Sequence, residues 1–345
     1  MYTDDYSEAT NNDPLFTSVF IGNTGVGKTS ILSAMYMALD DANLSSCGLS
    51  LLPRTEDEFQ LLKSKWREMQ NHIRKQNFGS TIRKPLYQGT KGTTNHDFVL
   101  SGNPTDQYAG IPIRIWDTEG GYTARTNPSL IAKVARSFVV MCAVDATFLM
   151  ECDSGVNEEM NEVRSIKQIL ERALNQQDCG ILSVFFLLTK CEKYMKDNTI
   201  RNHMAAKFNT EFRSVLELLR QQHIMVHYLP VQTMGCVELA RIEECEDGSW
   251  SQEFQVVLGK TFDYADAVQP LSLMLQLSLC VVDMIQQQQW NNRSWWEMLW
   301  DTITFKDAPA RLDGLVQAIF DHFGAPKDWR TNRNGELAEV VLVNE

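Results

Sequence analysis

The chain lacks any C-x-x-C pair, any H-E-x-x-H motif and any excess of basic residues. Its eight cysteines stand at 47, 142, 152, 179, 191, 236, 245 and 280 without regular spacing, several of them inside apolar runs. That scatter argues for reduced core thiols and against a disulfide framework. His223 and His227 flank a strand-like run with no carboxylate or thiol at ligand spacing, which argues against zinc. A net charge of −12 removes the basic footprint of a dedicated nucleic-acid binder. An unbroken apolar run of membrane-spanning length is missing as well. The most apolar stretch, Val268 to Ile285, contains Pro270, Gln276, two serines and Asp283. It falls short of the ~20 apolar residues a membrane span requires and reads as a buried helix. Met1 to Asp13 is acidic and polar, unlike a signal peptide or a mitochondrial presequence, so a cytoplasmic protein is the expectation.

What remains is a globular composition, 43% apolar and 22% charged, over 345 residues. That length allows one large α/β domain with an appendage. Residues 1–14 read as a flexible leader. The organising stretch follows. An apolar, β-branched run from Leu15 to Ile21 leads into Gly22, Asn23, Thr24, Gly25, Val26, Gly27, Lys28, Thr29 and Ser30, and helix formers continue to about Asp40. Gly22, Gly27, Lys28 and Thr29 satisfy G-x-x-x-x-G-K-[ST] between a strand and a helix, the context a phosphate-binding loop requires. Its glycines allow positive φ and turn backbone N–H groups toward a polyphosphate. The following helix adds the positive end of its dipole. Lys28 would reach the β- and γ-phosphates, and the Thr29 hydroxyl would bind Mg²⁺.

Further along, Phe59, Leu62, Trp66, Met69 and Ile73 recur at helical spacing. They predict a helix over about 55–76 within an insertion spanning about 44–90. Two strand-like runs, 97–101 and 111–116, are separated by a turn, and the second ends in Asp117, Thr118, Glu119 and Gly120. This D-x-x-G closes a buried strand, where a second Mg²⁺-directed carboxylate belongs in a phosphate-loop sheet. Phe138–Val144 and Ile181–Leu188 are continuous apolar runs, as expected of parallel strands covered on both faces. Helical patterns follow over about 157–175 and 200–222. Ile224–Leu229 is a further strand. The acidic, turn-rich stretch of about 236–262 reads as an insertion or loop. Residues 291–345 form a tryptophan-rich appendage, with a helix expected over 308–323 and a strand-like end.

This order of motifs resembles the Ras-like GTPase domain of the TRAFAC class over about residues 15–290, and within it most closely the bacterial double-GTPase proteins. The resemblance implies a mostly parallel α/β sheet with one antiparallel edge hairpin and helices on both faces. It also implies GTP or GDP and Mg²⁺ as ligands. Thr189 and Lys190 stand where the base-recognition [NT]-K-x-D element lies, with Glu192 in place of its aspartate. Gln232 and Thr233 occupy the last base-contacting loop. Gly92, Thr93 and Thr94 resemble the first switch loop, with Thr94 the second hydroxyl ligand of Mg²⁺ beside Thr29 and Asp117. Lys28, Thr94 and Gly120 take the catalytic positions.

Gly121 stands where Ras-like enzymes carry the glutamine that orients the attacking water, which implies slow intrinsic turnover. Glu119 could substitute for that glutamine; Lys91, Arg83 or Arg125 could supply a cation. A protein effector or activating partner is the expected alternative source of the missing group. Two other readings stay open: a non-catalytic nucleotide-binding scaffold, favoured by Gly121, and a P-loop ATPase, favoured by Glu192.

Overall fold

The run Phe16–Ile21 forms β1 at the centre of the main sheet, with Phe16 and Phe20 on one face and Val19 and Ile21 on the other. The run Val139–Val144 beside it repeats the alternation, with Val139 and Met141 on the first face and Val140, Cys142 and Val144 on the second, as a strand covered by helices on both sides requires. In the computed structural model, which describes residues 16–41, 50–75, 81–82, 92–101, 111–120, 127–286, 329–331 and 337–339, β1 lies between β5 (Ile111–Asp117) and β6 (Val139–Asp145). Beyond β6 run β7 (Ser183–Thr189) and β8 (Met225–Pro230), all parallel. Every residue of β6 and β7 is buried.

Antiparallel strands finish both edges. β4 (Thr94–Ser101) pairs with β5, and β2 (Ser50–Pro53) pairs with β4. At the far side β11 (Trp329–Thr331) pairs with β8, and β12 (Leu337–Glu339) with β11. The sheet order is β12-β11-β8-β7-β6-β1-β5-β4-β2. The chain is therefore α/β, with a mostly parallel sheet as the sequence implied. Within residues 291–345, expected to form an appendage, β11 joins the main sheet. The tryptophans of 290–300 and the helix expected over 308–323 lie outside the described residues.

Helices sort onto the two faces. α1 (Lys28–Asp41), α2 (Glu56–Arg74) and α9 (Val268–Gln286) contribute to one apolar core; α3 (Pro128–Ala135), α4 (Ala146–Glu151), α6 (Val163–Leu174), α7 (Asn198–Glu211) and α8 (Arg213–Gln221) contribute to the other. In α2, Leu62, Trp66, Met69 and Ile73 are buried as their spacing predicts. Trp66 packs edge-on against Phe262 and Tyr264, each 4.9 Å away, which fixes α2 against the segment preceding α9. No helix among the described residues is long and apolar enough to cross a membrane.

Three expectations on element boundaries are revised. The helix expected over 157–175 is split into α5 (Ser154–Asn161) and α6 by Glu162, whose φ of 50° is left-handed. Asp153 caps α5 by accepting from Val156 N–H, a start signal that periodicity alone overlooks. The 200–222 pattern is likewise two helices, α7 and α8, hinged at Phe212, a buried ring stacked on Phe208. Finally, the acidic 236–262 stretch contains two strands. β9 (Val237–Glu244) and β10 (Trp250–Val256) form a hairpin, and β3 (Thr81–Ile82) pairs with β10 to make a second, antiparallel sheet.

Candidate functional site

The loop after β1 has the conformation its glycines allow. Gly22, Gly25 and Gly27 adopt φ of 141°, 78° and 104°. At Gly22 there is also no room for a side chain, since a Cβ would lie 2.7 Å from the Ala143 carbonyl. Lys28 opens α1 and curls back into the loop, its Nζ donating to the carbonyls of Gly22 (2.6 Å) and Asn23 (2.9 Å). Burial pulls the Lys28 pKa down to about 8, against the attraction of Asp117 and Glu162. An ammonium held this way is positioned for an anion in the loop.

Thr29 and Asp117 meet behind that lysine. The Thr29 hydroxyl donates to Asp117 Oδ2 at 3.0 Å, and both residues are buried. Antiparallel register places Thr94, the first residue of β4, directly opposite Asp117. Hydroxyls with one carboxylate are hard oxygen donors and fit Mg²⁺, which takes few protein ligands and keeps waters or ligand phosphates in its shell. Among the described residues no cluster of three or more His, Cys, Asp and Glu side chains could hold a metal on its own.

The D-x-x-G loop touches both neighbouring loops. Thr118 donates its hydroxyl to the Phe20 carbonyl at 2.5 Å. Gly120 lies against the phosphate-loop backbone so closely that a Cβ would sit 2.5 Å from the Thr24 nitrogen. Glu119 Oε2 accepts the Gly92 N–H at 2.8 Å, which ties the threonine loop to this one. Glu119 is thus engaged in a loop-to-loop contact. Arg83, Lys91, Gly121 and Arg125 lie outside the described residues.

From Gly25–Ser30 a cavity of about 600 Å³ runs past Thr118 and Gly120 to Thr189, Lys190, Glu192 and Thr233. Thr189 links its two ends: the hydroxyl lies 2.5 Å from the Val26 carbonyl and 3.2 Å from that of Val144. Lys190 has a left-handed backbone, φ 53°. Its Nζ donates to Asp145 Oδ2 at 2.5 Å and to Gln252 Oε1 at 2.7 Å. Glu192 is buried, and its Oε1 accepts the N–H groups of Thr233 and Met234, each at 3.2 Å. Burial raises its pKa to about 7 despite those backbone donors.

Most sequence-derived site residues therefore converge, with three differences. Gln232 does not line the cavity; its amide donates to Asp266 Oδ2 at 2.9 Å, ahead of α9. Thr94 sits beside Asp117 in the sheet but outside the cavity wall. Glu192 faces a backbone loop, where its longer side chain reaches the 233–234 N–H groups.

Other wall residues escaped the sequence reading. Asp145, at the carboxyl end of β6, caps α4 through Thr147 N–H and anchors Lys190. Trp250, Gln252 and Phe254 of β10 form the far wall. Signals for both existed. Asp145 ends an apolar run just as Asp117 does, and the Asp247-Gly248 turn between Val237/Leu239 and Phe254/Val256 is a hairpin signature. Neither a protein-family model nor a curated protein matches the chain.

Proposed function

We propose that this protein is a Mg²⁺-dependent switch that binds and slowly hydrolyses GTP. The observation that carries the reading is the loop from Gly22 to Thr29. Its glycines have positive φ, Lys28 lies inside it, and Thr29 is bonded to Asp117 at one end of a cavity roomy enough for a nucleotide. The sheet order around β1, with β5 and β6 as its parallel neighbours and β4 antiparallel beyond β5, supports the Ras-like resemblance.

In this reading the loop N–H groups and the α1 N-terminus bind the phosphates. The Lys28 ammonium leaves the Gly22 and Asn23 carbonyls and neutralises charge that develops as the bond to the γ-phosphorus breaks. Thr29, Asp117 and Thr94 would hold the metal, which would screen the phosphate charge. Gly120 offers a backbone N–H at the γ-phosphate end. With Gly121 in place of a water-orienting glutamine, water is poorly positioned and turnover is slow. A protein partner that supplies the missing group is part of this proposal, as is a switch in which the Thr94 and Asp117–Gly121 loops are ordered by the triphosphate.

A P-loop ATPase is the second reading, favoured by Glu192, whose Oε1 is occupied by the Thr233 and Met234 N–H groups. Titration with fluorescent GTP and ATP analogues in Mg²⁺, together with phosphate release, decides between them. The expected result is preferred GTP binding, weakened about 100-fold or more in Lys28→Ala, and Mg²⁺-dependent release well below about 1 s⁻¹. Undiminished binding by Lys28→Ala would overturn the nucleotide-binding reading. Preference for ATP would transfer it to the ATPase.

A further inference from the structure

The hairpin of β9 and β10 is the largest element near the cavity without a role in the reading above. Its β10 strand lines the cavity with Trp250, Gln252 and Phe254, alternate residues of one strand face, and with Ser251 between them. Opposite that face the ladder is irregular. The pairing slips between Glu253 and Phe254, so that Glu253 faces Arg241 and Phe254 faces Leu239. The slip leaves Ala240 of β9 as the extra residue of a bulge, so the distortion falls on the partner strand and the alternation of β10 runs unbroken past the cavity.

Two side chains of this face meet the residue expected to cover a base. The Phe254 ring centroid lies 5.7 Å from Lys190 Nζ, and Ile82 of β3, its partner across the strands, also lines the cavity. Gln252 spans to the main sheet: its Oε1 accepts from Lys190, and its Nε2 donates to Asp145 Oδ2 (2.9 Å) and Thr147 Oγ1 (2.6 Å). An aromatic face, an aliphatic lysine stem and an amide with both donor and acceptor capacity are what a flat heteroaromatic ligand requires. Glu192, the residue at the usual base-reading position, has Oε1 committed to backbone N–H groups.

We propose that β10 supplies the base-recognition wall of this site, Phe254 stacking on the nucleobase and the Gln252 amide reading its polar edge. The proposal rests on the nucleotide reading given above and adds a specificity element to it. On base entry the Gln252 amide exchanges its bonds to Lys190 and Thr147 for the base edge, and Lys190 lays its stem along the ring.

The test is calorimetric titration of the full chain in Mg²⁺ with GTP, with ATP and with inorganic tripolyphosphate, which has phosphates but no base. The variants are Phe254→Ala, Phe254→Leu, Gln252→Ala and Lys28→Ala. Loss of stacking should weaken both nucleotides about tenfold in Phe254→Ala and in Phe254→Leu, with tripolyphosphate binding unchanged. That unchanged arm also reports that the phosphate loop is still folded. Gln252→Ala should alter the GTP-to-ATP affinity ratio at least threefold.

Nucleotide binding unchanged in both the Phe254→Ala and Gln252→Ala variants, with Lys28→Ala still inactive, overturns this proposal and leaves the nucleotide site intact. Full binding by Phe254→Leu alongside loss in Phe254→Ala also overturns it, because the ring would then serve packing alone. Undiminished binding in Lys28→Ala overturns the underlying reading, and this proposal with it.

Discussion

At one end of the cavity a single run of chain, Thr24 to Ser30, supplies most of the wall, with Thr118 and Gly120 beside it. At the other end the wall is assembled from the ends of β6 and β7, the loop after β8 and one face of β10. The first end acts through backbone geometry, which tolerates little change. The second acts through side chains whose partners are other side chains, such as the Lys190–Asp145–Gln252 network. A backbone site is encoded locally. A side-chain site depends on how distant segments dock, and it can be altered one contact at a time.

The largest effect is expected at the backbone end. Gly120→Ala places a methyl group on the Thr24 backbone, and Thr24 cannot move without distorting the phosphate loop. The D-x-x-G loop must then shift. Displacement of about 1 Å at a reacting centre costs on the order of 100-fold in rate, so phosphate release should fall by that factor. Stopped-flow detection of phosphate checks it. A rate within twofold of the parent would show that this backbone contact is not part of the site.

A smaller effect, of opposite sign, is expected at the side-chain end. Glu192 is buried with its pKa raised from 4.5 to about 7. The folded state therefore holds the proton more tightly than the unfolded chain, and stability falls as pH rises from about 4.5 through about 7. Glu192→Gln keeps an oxygen for the Thr233 and Met234 N–H groups without a charge to desolvate. It should be more stable than the parent by about 2 kcal/mol at a pH near 8 and nearly equal to it near pH 4.5. Denaturant melts at the two pH values test this, and a pH-independent difference would refute it.

Thr189→Val sharpens the contrast. The Thr189 hydroxyl bridges the two ends through the Val26 and Val144 carbonyls. Losing it should cost about 1 kcal/mol of stability. Affinity for tripolyphosphate and for nucleotide should then weaken by similar factors, since the phosphate loop leans on this contact. Titrations with both ligands would show whether the two ends are coupled; an effect confined to nucleotide would mean that they are not.

The same division explains how far the sequence could be read. The phosphate loop, α1 and the carboxylate ending β5 were legible because a few adjacent residues determine each conformation. The buried strands were legible from unbroken apolar runs such as Val139–Val144. The hairpin carried a turn signal at Asp247-Gly248, but the acidic residues of its strands masked it. Glu238 and Glu253 are buried through salt bridges to Lys196, Lys260 and Arg241, so polarity there misreports exposure. The helix breaks at Glu162 and Phe212 were hidden for another reason. Helical periodicity continues across a single left-handed or hinge residue, and only the docking of each half reveals the break. Gln232 was placed in the site by position alone, and its turn toward Asp266 has no local cause.

The pairing of β11 with β8 has a consequence for the order in which this chain folds. Trp329 meets Tyr228 across about a hundred intervening residues, so this closure belongs to the slow, high-contact-order part of assembly. Until it forms, the hydrogen-bonding edge of β8 is open, and an open edge of a buried, apolar strand is a template for another chain. During synthesis β8 emerges about a hundred residues before the strand that removes this hazard.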